Sequence, residues 1–146
     1  MKEKVILLIE DNPSDRDLTK RAMERNHISN TLVVTEDGQE GLDYLFAQGA
    51  YSQRDKGDLP AVVLLDLNLP KLNGFEVLER IRANSLTKLL PVVMLTTSDH
   101  EEHVAASYKL GANSYIRKPV DFEQFASAIN SLGIYWLILN EAPVVK

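Results

Sequence analysis

The stretch Ala61-Val62-Val63-Leu64-Leu65-Asp66 joins five consecutive apolar residues to a carboxylic acid. A short run that is apolar at every position is typical of a strand covered on both faces, as in a parallel sheet. Four other runs are interpreted as strands: Val5–Ile9, Thr31–Thr35, Pro91–Leu95 and Ser114–Ile116. We therefore predict five strands, the third of which ends at Asp66.

Amphipathic segments separate these strands, with apolar residues recurring at helical spacing. Helices are predicted from Asn12 onward, over Gly41–Phe46, around Phe75–Ile81, around Val104–Leu110, and from about Asp121. The polar stretch Gly49–Leu59 is predicted to be a surface loop. Alternation of this kind favours an α/β fold, a three-layer (βα)5 doubly wound parallel sheet with helices on both faces.

Length and composition narrow the class of protein. The chain has 146 residues, 45% of them apolar, which suits one domain, and its formal net charge of -5 argues against a non-specific nucleic-acid binder. The absence of cysteine excludes disulfides, thiolate zinc sites and cysteine nucleophiles. No apolar stretch approaches the roughly 20 residues of a membrane helix, and no leader pattern precedes the first strand. A cytoplasmic protein without membrane or nucleic-acid partners is therefore expected.

Polar residues stand at the carboxyl ends of four predicted strands. They are Glu10 and Asp11, then Asp66, then Thr96, then Lys118. Open parallel sheets bind ligands outside these strand ends, so we expect the five side chains to converge.

Three adjacent carboxylates repel one another unless a cation intervenes, and Mg²⁺ prefers oxygen ligands. Asp11 and Asp66 are predicted as direct ligands, Glu10 as a ligand through water, and a carbonyl of the loop after Asp66 as a further ligand. With the Lys118 ammonium and the Thr96 hydroxyl, the set suits phosphoryl transfer onto a carboxylate.

Each signal has a simpler reading when it is taken alone. An aspartate after a strand often caps the next helix, so Asp66 could be a cap. Glu10-Asp11 is a weak signal, and Lys118-Pro119 could be only a tight turn. The combination in this order favours the phosphoryl-transfer site.

Four motifs carry a family resemblance: Ile9–Asn12, Leu64–Pro70 continuing to Gly74, Val93–Thr97, and Gly111–Pro119. Together they cover about residues 4 to 132. The sequence resembles the receiver domains of two-component response regulators, the CheY-like family. The resemblance implies strand order 2-1-3-4-5. It also implies that Asp66 accepts a phosphoryl group from the phosphohistidine of a histidine kinase.

Further roles follow by position from the same resemblance. It implies that Glu10 and Asp11 form the acidic pocket, that the Asn68 carbonyl is a metal ligand and that Thr96 is the switch hydroxyl. Lys118 would pair with the phosphate, and the Lys118-Pro119 bond would be cis. Tyr115 matches the family's switch aromatic, although a half-buried strand tyrosine without a switching role is the alternative.

A narrower resemblance rests on loop lengths and on the tail. The loop Gly49–Leu59, the connection Ala83–Leu90, the string Leu95–Ser98 and the aromatic tail around Trp136 resemble the small response regulators paired with bacterial phytochrome kinases. A phytochrome-type sensor histidine kinase is therefore the implied partner.

The last predicted helix carries more apolar surface than one sheet face can cover. One face is formed by Phe122, Phe125, Ile129, Leu132 and Trp136, and the first four of these are expected to pack on the sheet. The further apolar residues of 134–139 predict a homodimer through this helix. Gly133 costs about 1 kcal/mol inside a helix, so a helix that ends there, followed by a separate arm, is the alternative. We thus expect a single domain over residues 1–146, with 133–146 as a C-terminal extension.

Two other functions share part of this residue pattern. An aspartyl-phosphate phosphatase needs a second carboxylate two residues after its nucleophile, and Asn68 stands there, which argues against an enzyme. A degenerate receiver that only binds partners would lack Asp66, the acidic pair or Lys118, and all are present. No helix-turn-helix or basic region follows the receiver, so no DNA-binding output is expected.

Overall fold

The computed structural model describes residues 4–97, 100–118 and 121–143, in which five strands alternate with five helices. The strands are β1 Ile6–Ile9, β2 Leu32–Thr35, β3 Val62–Leu65, β4 Val92–Thr96 and β5 Ser114–Arg117. The helices are α1 Pro13–Arg25, α2 Gly38–Phe46, α3 Gly74–Ala83, α4 Glu101–Lys109 and α5 Phe122–Gly133. All pairings are parallel and the strand order is β2-β1-β3-β4-β5, which confirms the predicted fold.

Two apolar layers enclose the sheet because successive strand residues point to opposite faces. In β3, Val63 and Leu65 join the layer under α2 and α3, whereas Val62 and Leu64 join the layer under α1 and α5. Every residue of β3 is therefore buried, as its unbroken apolar run predicted.

The helix starts place polar groups near the carboxyl ends of the strands. The Asn12 side chain caps α1 by accepting the backbone N–H of Ser14 at 2.8 Å. Asn73 caps α3 and exchanges reciprocal hydrogen bonds with Glu76. Asp66 therefore does not cap the helix that follows it, and that simpler reading of Asp66 is wrong.

The second helix begins at Gly38, three residues before the predicted start. Asp37 caps it, since its Oδ1 accepts the Glu40 N–H at 2.7 Å. Residues 38–40 lack apolar periodicity, so only the capping side chain signals this start. The predicted loop after α2 contains one 3-10 turn, Gly49–Tyr51, and the Tyr51 hydroxyl donates to Glu40 at 2.6 Å.

The chain remains helical beyond Gly133, and residues Ile134–Leu139, here called the C-terminal segment, form a π-helix. A Cβ on Gly133 would lie 2.8 Å from the Ile28 side chain, so close packing rather than helix termination accounts for this glycine. The α-helix α5 ends at Gly133, but the chain continues directly into the π-helix, so the alternative of a separate arm is wrong. No helix in the described part of the chain is long and apolar enough to cross a bilayer.

Candidate functional site

Three carboxylates meet at the carboxyl edge of the sheet. Ile9 and Leu65 are paired in register, so Glu10 and Asp66, the residues that follow them, leave adjacent strands at the same level. One carboxylate oxygen from each of Glu10, Asp11 and Asp66 lies within 4.8 Å of the other two. Glu10 is 1% exposed and Asp66 is 7% exposed, whereas Asp11 faces solvent. The site is thus a buried pair of acids that opens to solvent at Asp11.

A buried lysine that directly follows the edge strand β5 completes this cluster. The Lys118 N–H donates to the Thr96 carbonyl at 2.7 Å, which places Lys118 beside the end of β4. Its Nζ donates to the Glu10 carboxylate and, at 3.1 Å, to Asp15 Oδ2. The ammonium therefore links the ends of β1 and β5, which are not neighbours in the sheet.

The pKa values of Glu10 and Lys118 are both raised, although for different reasons. Burial raises the pKa of Glu10 from 4.5 to about 7; Lys118 opposes the rise and the Asp66 charge adds to it. Burial alone would lower the pKa of Lys118, but the Asp66 and Glu10 carboxylates outweigh it and the pKa is raised. Both shifts favour the protonated form, which is the charged form of Lys118 and the neutral form of Glu10.

The raised pKa of Glu10 predicts a pH-dependent stability in the presence of a metal chelator. An acid whose pKa rises from 4.5 to about 7 on folding stabilises the fold below pH 4.5 and loses that contribution as the pH approaches 7. Between pH 5 and 8, wild type should lose roughly 1–2 kcal/mol of unfolding free energy relative to Glu10→Gln. Urea denaturation at both pH values measures this difference.

The exposed Glu79 in α3 provides the control for that experiment. Glu79→Gln should follow wild type across the same pH range, since an exposed side chain keeps its hydration on folding. Parallel curves for wild type and Glu10→Gln would contradict the prediction.

Two residues of the first turn of α1 belong to the site but escaped prediction from the sequence. Asp15 binds Lys118, and the Arg16 guanidinium donates to the carbonyls of Glu10 at 3.1 Å and Asp11 at 2.8 Å. Arg16 therefore fixes the backbone that carries the acidic pair. The order of the elements contains a signal for both residues. A helix that starts directly after β1 must begin at the edge of the sheet where the acidic pair lies, so the side chains of its first turn lie near the site.

The remaining predicted residues lie around this edge. Thr96 is fully buried at the end of β4, and Asn68 is exposed in the loop between β3 and α3. Tyr115 pairs in register with Met94 and packs, half-buried, against the layer under α2 and α3. Pro119 lies outside the described residues, and so does the predicted cis bond. The roles assigned to these residues stay predictions.

The donor chemistry of the cluster fits a hard divalent cation. The three side chains of the cluster offer carboxylate oxygens, which are the ligands that Mg²⁺ and Mn²⁺ favour. Two of the three residues are buried. Glu10, Asp11 and Asp66 are the side chains that would hold such an ion.

Comparison with known proteins gives a consistent family assignment. The sequence model of the response regulator receiver domain matches residues 6–130. Response regulator Rcp1 of Synechocystis sp. is 38% identical over 134 residues, 92% of this chain and 89% of Rcp1. The crystal structure of the Mn²⁺-bound form of Rcp1 has a TM-score of 0.85 at 37% identity, covering 97% of this chain and 99% of that one.

Two phytochrome response regulators are also similar in structure. The phosphorylated cyanobacterial regulator RcpA has a TM-score of 0.88 at 35% identity, covering 98% of this chain and 100% of RcpA. The bacteriophytochrome response regulator AtBRR has a TM-score of 0.77 at 49% identity, covering 97% of this chain and 100% of AtBRR. The chain therefore belongs to the response regulator receiver domain family, and its close homologues include phytochrome response regulators.

Proposed function

We propose that this protein is a cytoplasmic signalling switch in which Asp66 accepts a phosphoryl group from a sensor histidine kinase. The observation that carries the proposal is the convergence of Glu10, Asp11 and Asp66 with the buried Lys118 ammonium at one edge of the sheet. A carboxylate with a cation beside it is suited to receive an anionic group, and the adjoining acids are suited to bind a divalent ion.

The proposed transfer moves one phosphoryl group between two nucleophiles. An Asp66 carboxylate oxygen forms the new bond to phosphorus, and the bond from phosphorus to the kinase histidine breaks, leaving its electron pair on the imidazole nitrogen. Lys118 balances the charge of the phosphoryl oxygens. Mg²⁺, held by Asp11, Asp66, the Asn68 carbonyl and, through water, Glu10, would neutralise further charge at those oxygens when bound.

The proposed signal is a change in protein–protein contacts. The Thr96 hydroxyl would move toward a phosphoryl oxygen, and Tyr115 would fill the space that it leaves. Thr96 lies fully buried at the end of β4, and Tyr115 lies half-buried on the adjacent strand, so a small shift of one can be transmitted to the other.

The proposed kinase is of the phytochrome type. The protein itself is proposed to catalyse only its own phosphorylation and dephosphorylation, and no reaction of another substrate. The likeness to RcpA and AtBRR supports the kinase class, since both are phytochrome response regulators. Asn68, which stands two residues after Asp66, cannot serve as the acid or base that an aspartyl-phosphate phosphatase uses.

Phosphorylation by a small-molecule donor tests the proposal without the kinase. Acetyl phosphate with Mg²⁺ should add one phosphoryl group to the intact protein, and peptide mapping should place it on Asp66. A chelator should suppress the reaction, because the acidic cluster would then lack its counter-charge. A label that maps to another residue would refute the assignment.

We also propose that the C-terminal segment joins two copies of the chain. The large apolar side chains that are exposed in the described residues are Leu89, Tyr108, Ile134, Tyr135, Ile138 and Leu139, and four of these six lie within the segment. Ile138 is 72% exposed and Leu139 is 66% exposed. Exposed apolar side chains concentrated in one segment favour a protein interface, and a groove of about 600 Å³ lies beside them between β5, α5 and the segment.

The dimer proposal predicts that one charge in the C-terminal segment separates the copies. Sedimentation equilibrium should show a dimer for wild type and a monomer for Ile138→Glu, since a buried unpaired carboxylate is costly at an interface. Leu89→Glu is the matched control, because Leu89 is 51% exposed but lies in the loop before β4. Wild type that sediments as a monomer at high concentration would rule out the dimer.

A further inference from the structure

The Lys118 ammonium has a second acidic partner that stands outside the acidic cluster. Nζ is shared between Glu10 and Asp15, and the contact with Asp15 Oδ2 is 3.1 Å. We propose that Asp15 is a positioning residue: it holds Lys118 toward α1 in the unphosphorylated protein and so opposes the pairing of this lysine with a phosphoryl group on Asp66. This inference rests on the proposed function of Asp66.

The start of α1 fixes the backbone that carries the Asp15 carboxylate. The Asp15 N–H donates to Asn12 Oδ1 at 3.2 Å, and its carbonyl accepts the Thr19 hydroxyl at 3.0 Å. The Asp15 side chain is 27% exposed, whereas that of Lys118 is 4% exposed. Asp15 is therefore anchored through its backbone and lies at the solvent side of a buried ammonium.

Two electrostatic effects of Asp15 act in the same direction. Its contact with Nζ is a charge-assisted hydrogen bond that competes with a phosphoryl oxygen for the position of the ammonium. Its negative charge also repels an anion arriving at Asp66, across a partly buried site where screening by salt is weak. Both effects favour the site without a phosphoryl group, so Asp15 should limit how readily Asp66 carries one.

Beryllofluoride, which binds an aspartate carboxylate in the geometry of a phosphoryl group, provides the direct test. Its affinity for the full chain at saturating Mg²⁺ can be measured by fluorine NMR titration. Asp15→Asn should bind it roughly fivefold more tightly than wild type, the scale of one charge-assisted hydrogen bond at a partly exposed site. Asp15→Glu, which keeps a carboxylate near Nζ, should stay within about twofold of wild type.

Asp17 provides the matched control, since Asp17→Asn removes the same charge from the same helix. Asp17 is 66% exposed and pairs with Arg21 at 3.8 Å, whereas Lys118 pairs with Glu10 and Asp15. Its variant should also bind within about twofold of wild type. An equal gain in Asp15→Asn and Asp17→Asn would show a general charge effect and overturn the inference.

The ¹⁵N resonance of the Lys118 ammonium reports directly on whether Asp15 positions this side chain, independently of any change in the stability of the fold. The ¹⁵N resonance of the Lys118 ammonium should shift in Asp15→Asn and stay unchanged in Asp17→Asn, before any beryllofluoride is added. An unchanged resonance in Asp15→Asn would overturn the inference. Wild type that binds beryllofluoride with no gain in Asp15→Asn would overturn the inference alone, whereas wild type that binds none would overturn the proposed function with it.

Discussion

Asp66→Asn is expected to lower phosphoryl labelling by acetyl phosphate and Mg²⁺ by about a thousandfold or more. A carboxamide oxygen is a poor nucleophile and forms no acyl phosphate, so the reaction loses its covalent step and not only a contact. The fold should survive, because asparagine has nearly the same volume at a position that is 7% exposed. Intact-mass spectrometry over a time course measures the rate, and far-UV circular dichroism checks the fold.

Asp55→Asn is the control for this labelling experiment. Asp55 is an exposed acid in the loop before β3, so its variant removes the same charge without touching the site. It should be labelled at the wild-type rate. Equal labelling of Asp66→Asn and Asp55→Asn would show that Asp66 is not the phosphoacceptor.

Gly74→Ala is expected to have the second large effect, a loss of about 3 kcal/mol of unfolding free energy or more. A Cβ on Gly74 would lie 2.4 Å from the Asp66 carbonyl oxygen and 2.8 Å from Leu67 Cα. Both atoms belong to the backbone, which cannot move aside as a flexible side chain can. The Gly74 N–H also donates to the Leu67 carbonyl at 2.9 Å, so α3 cannot shift without losing that hydrogen bond.

The same variant should disturb the site, because the atom that a new methyl group would displace belongs to Asp66. Urea denaturation measures the stability, and labelling at a temperature where the variant is folded measures the site. Gly57→Ala is the control, since its new Cβ would approach no atom closer than 3.4 Å. A stability of Gly74→Ala within about 0.5 kcal/mol of Gly57→Ala would contradict the close approach of α3 to Asp66.

Two features of the helices differ from what the sequence predicts, for different physical reasons. Residues 38–40 carry no apolar period, so periodicity places the start of α2 too late, and only the capping by Asp37 marks it. Helix propensity predicts a possible helix end at Gly133. The small size of Gly133 instead lets α5 approach Ile28, a contact between residues far apart in the sequence. The first difference is encoded locally by Asp37, whereas the second depends on packing.

The order of residues is sufficient to predict the five apolar runs, their parallel order through the family resemblance, and the proximity of Glu10, Asp11 and Asp66. Parallel strands place their carboxyl ends at one edge, so the residues that follow two neighbouring strands must lie together. This geometry depends on the backbone alone and can therefore be read from the order of the residues.

The contacts of the Lys118 ammonium, in contrast, follow from the three-dimensional packing of the chain. A lysine can reach several neighbours, and its choice of Glu10 and Asp15 depends on where α1 lies over the edge of the sheet. The position of the C-terminal segment likewise depends on packing, since Trp136 and Leu137 contact the apolar layer whereas Ile138 and Leu139 face solvent. The exposure of a side chain and the neighbours that it contacts depend on how the whole chain packs. The periodicity of the sequence therefore does not predict them for individual residues.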